Sequence, residues 1–361
     1  MNRPDVLVVG DVDSVHIHRL VAGLQERGDF EVRTAGFSER SVAGRPSIRL
    51  GWGRTPPTDI QFLLAVPRLA QLLRRLRPAI VNAHYVSSYG LLTALALRLA
   101  FPRPPRPALV QTAWGTDLLV TAQATQLHVF LARIALSSAD LVTGDSLDLE
   151  EAVHAIVTDA PFERFVFGPP EALLVASRFD QPIILSSRRL DPDTRIPLII
   201  EGFRHAQAMA PEMLADWRLV VAGTGSMRRE TQLRTAGDPT IEFVGQLDRR
   251  SLDDLLTRSS SFISIPVSDA TSAALLEAMA AGVIPIVNDL PANREWVDAS
   301  VGVILPRDPA PEAIASAIIA VIDRAVDREL IRSAVADVTW ERELDRLTGR
   351  FRALRDSDAV A

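Results

Sequence analysis

Residues 268 to 282 read Ser268-Asp269-Ala270-Thr271-Ser272-Ala273-Ala274-Leu275-Leu276-Glu277-Ala278-Met279-Ala280-Ala281-Gly282, and an apolar run follows at 283–287. This pattern predicts a polar turn, a helix over 272–281 and then a buried strand. Ser272 is a residue type that caps helix N-termini. The start of this helix, at Thr271 and Ser272, would present backbone amides and a positive dipole end, which suit a phosphate group.

Glu277 is the unusual residue of this predicted helix, because its neighbours are small or apolar. A carboxylate in such surroundings is costly unless it is paired or binds a ligand. The residues alone leave two interpretations open. Either the helix start and Glu277 bind one ligand, or this is a capped core helix with a Glu at its edge.

Strand and helix patterns alternate along the whole chain. Short, nearly continuous apolar strands between helices are typical of parallel sheets that are covered on both faces. A first series has predicted strands at 6–9, 31–34, 79–83, 108–112 and 140–144, and helices at 18–27, 69–77, 90–100 and 125–137. A second series has strands at 183–185, 217–222, 241–245, 261–265 and 283–287, and helices at 198–209, 252–258 and 272–281. Two such series predict an α/β protein with two doubly wound domains.

The domain boundaries follow from this alternation and from length. A chain of 361 residues exceeds what one hydrophobic core usually serves. We expect a first domain over 1–170, a join near Gly168-Pro169-Pro170 with a linker to about Gln181, and a second domain over 180–335. A last helix, 340–356, has no strand after it and is expected to return to the first domain. Ligands of such sheets bind at the carboxyl ends of the strands, so the predicted site is a cleft between the domains.

Composition excludes several classes of function. The net charge of -6, without charged blocks, does not favour nucleic-acid binding. The chain has no cysteine and no lysine, so a cytoplasmic location is expected and any phosphate-binding cation must be arginine. The start of the chain predicts a buried strand, not a signal peptide, and no apolar stretch is long enough to cross a bilayer. The six histidines show no metal-ligand spacing, and the basic helix 69–77 is better explained by packing on a sheet than by a membrane surface.

The 268–282 stretch resembles the donor-binding signature of family 4 glycosyltransferases, also called glycosyl transferases group 1. That signature is an acid, seven residues, a Glu and then Ala-Met-Ala-x-Gly. The resemblance implies the GT-B fold, in which two Rossmann-like doubly wound parallel-sheet domains face a central cleft. It also implies transfer of a sugar from a nucleoside diphosphate sugar to a small-molecule or glycan acceptor, with retention and without a metal cofactor. By the resemblance, Glu277 binds the ribose and Asp269 lies by the transferred sugar.

Other segments of the second half are similar to the same family. The strand at 184–187 ends in Arg188-Arg189-Leu190, and either Arg188 or Arg189 is implied as the diphosphate ligand, unless this is a solvated basic loop. The family's next Lys is absent, and Arg195, shifted by one position, is the candidate for its charge. The turn with Gly223 and Gly225 resembles the family's Gly-rich turn. The segment ending in Gln246 and Leu247 is similar to the one that holds the base through backbone groups.

The first half resembles the family with departures. Residues 13–19 are similar to its first loop, which makes His16 and Arg19 candidates for contact with acceptor and donor phosphate, although His16 could simply cap the helix. Trp114-Gly115-Thr116-Asp117 falls where many members have a His-Gly pair. This chain has no His there, so Asp117 is the polar candidate beside the reacting sugar.

Two rival functions stay open at this point. One is a catalytically inactive partner that keeps the fold, favoured by the absent Lys and His. The other is a sugar-nucleotide epimerase of similar fold, which would need further acidic and histidine residues in the cleft. A dinucleotide-dependent enzyme is disfavoured, because Gly10-Asp11-Val12-Asp13 does not form a Gly-x-Gly-x-x-Gly turn.

Overall fold

A computed structural model describes residues 5–51, 59–175, 181–323 and 327–358. The chain divides into two compact units, residues 1–166 with 343–361 and residues 167–342. Each unit contains one parallel sheet, and the predicted α/β class with two doubly wound parallel sheets is confirmed. The predicted linker after Pro170 includes residues 176–180, which lie outside the described residues, as do residues 1–4 at the predicted start.

Unit 1 contains a seven-stranded sheet in the order β5-β2-β1-β6-β7-β8-β9, and every pair of neighbours is parallel. A separate antiparallel pair, β3 and β4, lies outside it. The central strands are fully buried, as their apolar sequences require. The strands are β1 (Val6–Val9), β2 (Val32–Gly36), β3 (Ser41–Val42), β4 (Arg45–Pro46), β5 (Ile48–Arg49), β6 (Ile80–His84), β7 (Ala108–Thr112), β8 (Leu141–Gly144) and β9 (Phe162–Arg164).

The helices of unit 1 connect these strands. Gly28 ends the first helix in the left-handed conformation, with φ of 74°, as expected of a C-cap glycine. π-helical turns at Val86–Gly90 and Thr116–Thr121 follow the carboxyl ends of two strands. The α-helices are α1 (Val15–Arg27), α2 (Asp59–Leu76), α3 (Leu91–Ala100), α4 (Gln126–Leu136) and α5 (Leu147–Ile156).

Unit 2 contains a six-stranded parallel sheet in the order β12-β11-β10-β13-β14-β15. The strand order reverses between β10 and β13, which is the switch point where ligands of such sheets bind. A short helix, α6 (Ala172–Val175), precedes the sheet. The strands are β10 (Ile183–Ser187), β11 (Arg218–Ala222), β12 (Ile241–Gly245), β13 (Ser261–Ser264), β14 (Ile284–Asn288) and β15 (Val303–Leu305).

The helices of unit 2 alternate with its strands. They are α7 (Ile196–Met209), α8 (Arg228–Thr235), α9 (Arg249–Arg258), α10 (Ala273–Ala280), α11 (Pro291–Arg294), α12 (Pro311–Asp323) and α13 (Arg328–Ser333). Helices α7 and α12 pack against each other, and Gly202 permits this because a Cβ at that position would lie 2.4 Å from Ile314 Cγ2.

The last helix, α14 (Trp340–Asp358), begins in unit 2 and ends in unit 1. Its buried Phe351 meets the ring of Phe30 edge to face, with ring centroids 6.1 Å apart. The carboxylate of Glu343 accepts a hydrogen bond from the backbone amide of Val166 at 2.8 Å. One face of α14 from 343 onward, which includes Leu344, Leu347 and Phe351, is therefore part of the core of unit 1.

Several elements differ from their predicted bounds. Helix α2 begins at Asp59, well before the predicted 69, and continues through Pro67. The first helix begins at Val15, not at 18, and the backbone carbonyl of Ser14, its N-cap residue, accepts from the amide of His18 at 3.1 Å. Sequence periodicity missed several helices and the shortest strands. These elements are α5, α6, α8, α11, α12 and α13, and β3, β4, β5, β9 and β15. In the described residues, no helix is both long and apolar enough to span a bilayer.

Candidate functional site

Arg188 and Asp269 meet at the switch point of the unit 2 sheet. Arg188 directly follows β10, and Asp269 lies in the loop after β13, the neighbouring parallel strand. Guanidinium Nη2 of Arg188 lies 2.6 Å from Oδ2 of Asp269, with 16% and 23% of the two side chains exposed. Parallel strands bring their carboxyl ends to the same edge, so these two residues form a charged pair there although 81 positions separate them.

The first turn of α10 completes this group of residues. Ser272 is the N-cap of α10, as predicted, and its hydroxyl accepts a hydrogen bond from the amide of Leu275 at 3.3 Å. Arg188 Nη1 donates to the same hydroxyl. Next to it, the hydroxyl of Thr271 accepts from the indole nitrogen of Trp296 at 3.4 Å. A guanidinium, a carboxylate and a helix N-terminus are thus held together at one edge.

Glu277 lies in α10 and is only 7% exposed, so the cost of its burial must be offset. Arg249 provides the partner: its Nη1 lies 2.5 Å from Oε1 of Glu277. Arg249 stands in the first turn of α9 and also pairs with Asp253 one turn further along that helix. Sequence reasoning missed Arg249, although the expected burial of Glu277 was the signal that a cation had to lie nearby.

Arg189 is directed elsewhere. Its side chain is 83% exposed and pairs with Asp191 at 2.6 Å. Asp191 also accepts hydrogen bonds from the amide and the hydroxyl of Ser226, at 2.9 and 2.8 Å. These Ser226 bonds, with the nearby Arg189 charge, hold the pKa of Asp191 below its usual range. The structure therefore brings Arg188, and not Arg189, to Asp269 and Ser272.

Arg195 is tied to the loop that follows β15. It forms an ion pair with Asp308 and donates from Nη1 to the carbonyl of Arg307 at 3.1 Å. The side-chain amide of Asn288, at the end of β14, donates to the same carbonyl at 3.0 Å. Arg195 thus connects the start of α7 to the loop after β15. The sequence had suggested Arg195 only as a replacement for the charge of the family's Lys and did not predict this structural contact.

Gly223 and Gly225 let two loops approach closely. A Cβ at Gly223, where φ is 141°, would lie 2.0 Å from the carbonyl oxygen of Arg188. A Cβ at Gly225 would lie 2.4 Å from the carbonyl oxygen of Leu190. The backbone amide of Leu190 donates to the carbonyl of Thr224 at 3.0 Å, and the amide of Met227 donates to the carbonyl of Leu190 at 2.7 Å. These glycines therefore set the backbone position of Arg188.

Gln246 and Leu247 link β12 to α9, and Gln246 is exposed. Gly245 before them has φ of 70°, a left-handed turn that favours glycine. Asp248 after them caps α9 by accepting from the amide of Ser251 at 2.8 Å. The loop is thus fixed at both ends, immediately before Arg249.

In unit 1, rings gather where β6 and β7 end. The ring of His16 lies 4.8 Å from that of Trp114, and the rings of Tyr85 and His84 stack on Trp114 at 5.8 and 5.9 Å. Tyr85 has φ of 66°, a strained conformation for a residue with a large side chain. His16 does not cap α1, since Ser14 holds that position, and Arg19 lies one turn after it, half-buried.

His84 is fully buried beneath this group. Its Nε2 lies 3.1 Å from the side-chain oxygen of Asn82, and its Nδ1 has no hydrogen-bond partner within the described part of the chain. Burial, and secondly the nearby His16, lowers the pKa of His84 to about 3. The imidazole is therefore neutral at ordinary pH.

Asp117 is buried, and its carboxylate binds backbone amides. The sequence analysis placed Asp117 beside the reacting sugar and did not predict these contacts. Its carboxylate accepts from the amides of Val86 and Ser87, the latter at 3.0 Å, and from the Ser87 hydroxyl. Burial raises the pKa of Asp117, although these hydrogen bonds oppose the change. At 4% exposure, Asp117 holds the turn after β6 in place.

Comparisons with known proteins agree with this architecture. Residues 5–146 match the family described as "Glycosyl transferase 4-like", and residues 175–335 match "Glycosyl transferases group 1". The chain belongs to the GT4-like, group 1 glycosyltransferases. No curated protein sequence matches this glycosyltransferase.

Solved structures share its fold at low sequence identity. HepE from Anabaena, in complex with UDP, matches with a TM-score of 0.74 and 15% identity over 99% of this chain and 100% of that one. Sucrose-phosphate synthase from Thermosynechococcus elongatus matches with a TM-score of 0.75 and 17% identity over 98% and 100%. A putative UDP-N-acetylglucosamine 2-epimerase from Listeria monocytogenes matches with 0.69 and 15% over 98% and 97%. The predicted GT-B fold is confirmed.

Within residues 5–51, 59–175, 181–323 and 327–358, no group of three or more His, Asp or Glu side chains is placed to hold an ion. The positive charge at the switch point comes from Arg188 and from the start of α10.

Proposed function

We propose that this glycosyltransferase moves a sugar from a nucleoside diphosphate sugar to a small-molecule or glycan acceptor, with retention at the anomeric carbon. The observation that carries the proposal is the group Arg188, Asp269 and Ser272 at the switch point, with the buried Glu277 on the same short helix as Ser272. The solved HepE structures, which contain UDP and UDP-glucose, favour a uridine nucleotide as the first donor to test.

The proposed roles follow from charge and position. Arg188 and the amides at the start of α10 bind the diphosphate, where their positive charge stabilises the leaving group without a metal. Glu277 accepts hydrogen bonds from the ribose hydroxyls, and the backbone at Gln246 and Leu247 faces the base. Asp269 is shared between Arg188 and the transferred sugar, so diphosphate binding loosens the present ion pair.

We propose an internal-return mechanism for the transfer step. The bond between the anomeric carbon and the diphosphate oxygen breaks, and the acceptor oxygen attacks from the same face. The acceptor proton passes to the leaving diphosphate oxygen, so no side chain has to act as a strong base. For unit 1 we propose acceptor recognition by His16 and Trp114, while Asp117 only positions the turn behind them.

Donor binding is tested by thermal shift with UDP and other nucleoside diphosphates. Arg188→Gln should weaken UDP binding by about 10- to 100-fold, because a charge-assisted contact to phosphate is lost. Arg189→Gln is the matched control, since its side chain points to Asp191, and it should change binding less than twofold. Glu277→Ala should also remove the shift. Loss of binding in the Arg189 variant but not in the Arg188 variant would contradict the assignment.

Transfer itself is tested with a panel of nucleotide sugars and acceptors, by following release of nucleoside diphosphate and the anomeric configuration of the product. A catalytically inactive partner is the second candidate, and one observation favours it: Arg195, the candidate for the absent Lys, is held by Asp308. Binding without turnover would support that candidate. Isomerised nucleotide sugar in place of a transfer product would support an epimerase, whose fold the Listeria structure shares.

A further inference from the structure

Acidic and basic residues are unevenly distributed in unit 1. The whole chain has 45 acidic residues in 361, which corresponds to about ten in any eighty. The eighty residues from 60 to 139 contain eight arginines and a single acid, Asp117. Asp117 is buried, so this segment presents almost no negative charge to solvent in a chain whose net charge is -6.

The segment forms one layer of helices. Helix α3 packs against α2 on one side and α4 on the other. Seven of the arginines are in or just after these helices, and most of their side chains are exposed. We call the exposed surface of α2, α3, α4 and their adjoining loops the basic face; its arginines are Arg68, Arg74, Arg75, Arg77, Arg98, Arg103 and Arg133.

The basic face also carries large apolar side chains in contact with solvent. On α4, Leu127 and Phe130 are 62% and 58% exposed, and their spacing of three places them on one side of the helix. On α2, Leu63 and Leu64 are each 60% exposed. Val120, in the turn before α4, is 51% exposed. A pair of exposed apolar side chains on one side of a helix, such as Leu127 and Phe130, marks an interaction surface more often than single scattered ones do.

These exposed apolar residues and most of the arginines lie at opposite ends of these helices. Helices α3 and α4 connect consecutive parallel strands, so both begin at the carboxyl edge of the sheet and end at the opposite edge. The exposed apolar residues of α2 and α4 lie in their first halves, and Arg75, Arg98 and Arg133 lie in last turns.

Arginines at helix ends complement the helix dipole, which explains part of this distribution. The dipole does not explain why exposed acids are missing over eighty residues, nor why Leu127 and Phe130 face solvent. An anionic lipid surface explains both, because its phosphates attract arginine and its acyl boundary takes up apolar side chains.

We propose that the basic face docks on a membrane surface that contains anionic lipids. In this arrangement Leu127 and Phe130 enter the headgroup region and the exposed arginines contact lipid phosphates. This inference does not rest on the proposed function, because it uses residues outside the donor site and would hold for an inactive partner as well.

The test is co-sedimentation of the full chain with lipid vesicles. We expect binding to vesicles of equal parts phosphatidylglycerol and phosphatidylcholine, weakening as salt is added, and no binding to phosphatidylcholine alone. Arg103→Gln with Arg133→Gln should lower the affinity roughly 25-fold, since each basic residue at an anionic surface contributes about fivefold. Leu127→Ser with Phe130→Ser should lower it at least as much.

Matched controls change the same residue types in unit 2. They are Arg228→Gln with Arg229→Gln, and Met209→Ser with Leu233→Ser, all exposed positions. Thermal unfolding checks that every variant is folded. Failure of the unaltered chain to bind anionic vesicles, or an equal loss in the control variants, overturns the proposal. So does a concentration-dependent dimer that Leu127→Ser with Phe130→Ser converts to monomer, because a second copy would then cover the face.

Discussion

Arg249 and Glu277 are 28 positions apart in the chain and form an ion pair. The carboxylate is buried in α10 and needs a cation, and Arg249 is fixed at the start of α9 by the preceding loop. If Glu277 holds the ribose, Arg249 is a positioning residue, because its guanidinium pairs with the buried carboxylate and holds it in one orientation. Its own contact is with Glu277 and Asp253, and the proposed contact with the donor belongs to Glu277.

We expect Arg249→Ala to weaken UDP binding about tenfold, the effect of losing one charge-assisted hydrogen bond. Binding of UDP that lacks both ribose hydroxyls should not change, because Glu277 would have nothing to hold there. Titration calorimetry of the two nucleotides measures this difference. Arg258→Ala is the control, since Arg258 lies on the same helix and pairs with Asp254. Equal losses for both nucleotides would mean that Arg249 has only a structural role.

His84 predicts a pH dependence of stability. Its pKa is 6.5 when exposed and about 3 in the fold, so the unfolded chain takes up a proton first as pH falls. The free energy of unfolding should therefore decrease between pH 6.5 and about 3, by up to about 1.4 kcal/mol per pH unit. Urea unfolding at several pH values measures the slope. His84→Gln should flatten the slope, and identical slopes in the unaltered protein and in this variant would refute the role of His84.

At the scale of elements, the turn after β11 sets the position of the loop after β10. Gly223→Ala would place a methyl group 2.0 Å from the Arg188 carbonyl, so the loop that carries Arg188 must move. We expect a loss of roughly 2 to 4 kcal/mol in the free energy of unfolding and weaker UDP binding. Chemical denaturation and calorimetry check the two effects.

Gly237→Ala is the matched control for this prediction. Gly237 also has a positive φ, 79°, but nothing lies within 4 Å of a Cβ there. That variant should show only the backbone cost of about 1 kcal/mol and normal UDP binding. If both variants lost the same stability and the same UDP affinity, the requirement for glycine at 223 would not come from its close approach to the Arg188 carbonyl.

At the scale of the whole molecule, the last segment of the chain completes the first unit. Phe351 is fully buried and packs on Phe30, and Arg352 pairs with Asp29. Phe351→Ala should destabilise unit 1 by about 3 to 5 kcal/mol through the cavity it leaves. Hydrogen exchange should show reduced protection in β1 and β6 but unchanged protection in β10 and β13. Uniform loss in both units would instead indicate that they unfold together.

Periodicity predicted the buried strands and most of the helices, but it missed α5, α8 and α12 as well as the shortest elements. The central strands β1, β7 and β12 were predicted within a residue, because buried parallel strands leave a continuous apolar run. The first ten residues of α2 were not predicted, since Pro67 inside a helix is read as a boundary. Three-residue strands such as β9 are held by their neighbours and have no period of their own.

The amino-acid sequence by itself determined the two doubly wound sheets, the capped helix at Ser272 and the need for a partner near Glu277, because these follow from local patterns and from the cost of burying charge. Tertiary structure decided the rest. Only the pairing of β10 with β13 brings Arg188, and not Arg189, to Asp269. Only the approach of the first turn of α9 to Glu277 supplies Arg249, and only the turn after β6 draws Asp117 inward. These contacts join residues that are distant in the chain, and no local pattern records which of several similar side chains will meet.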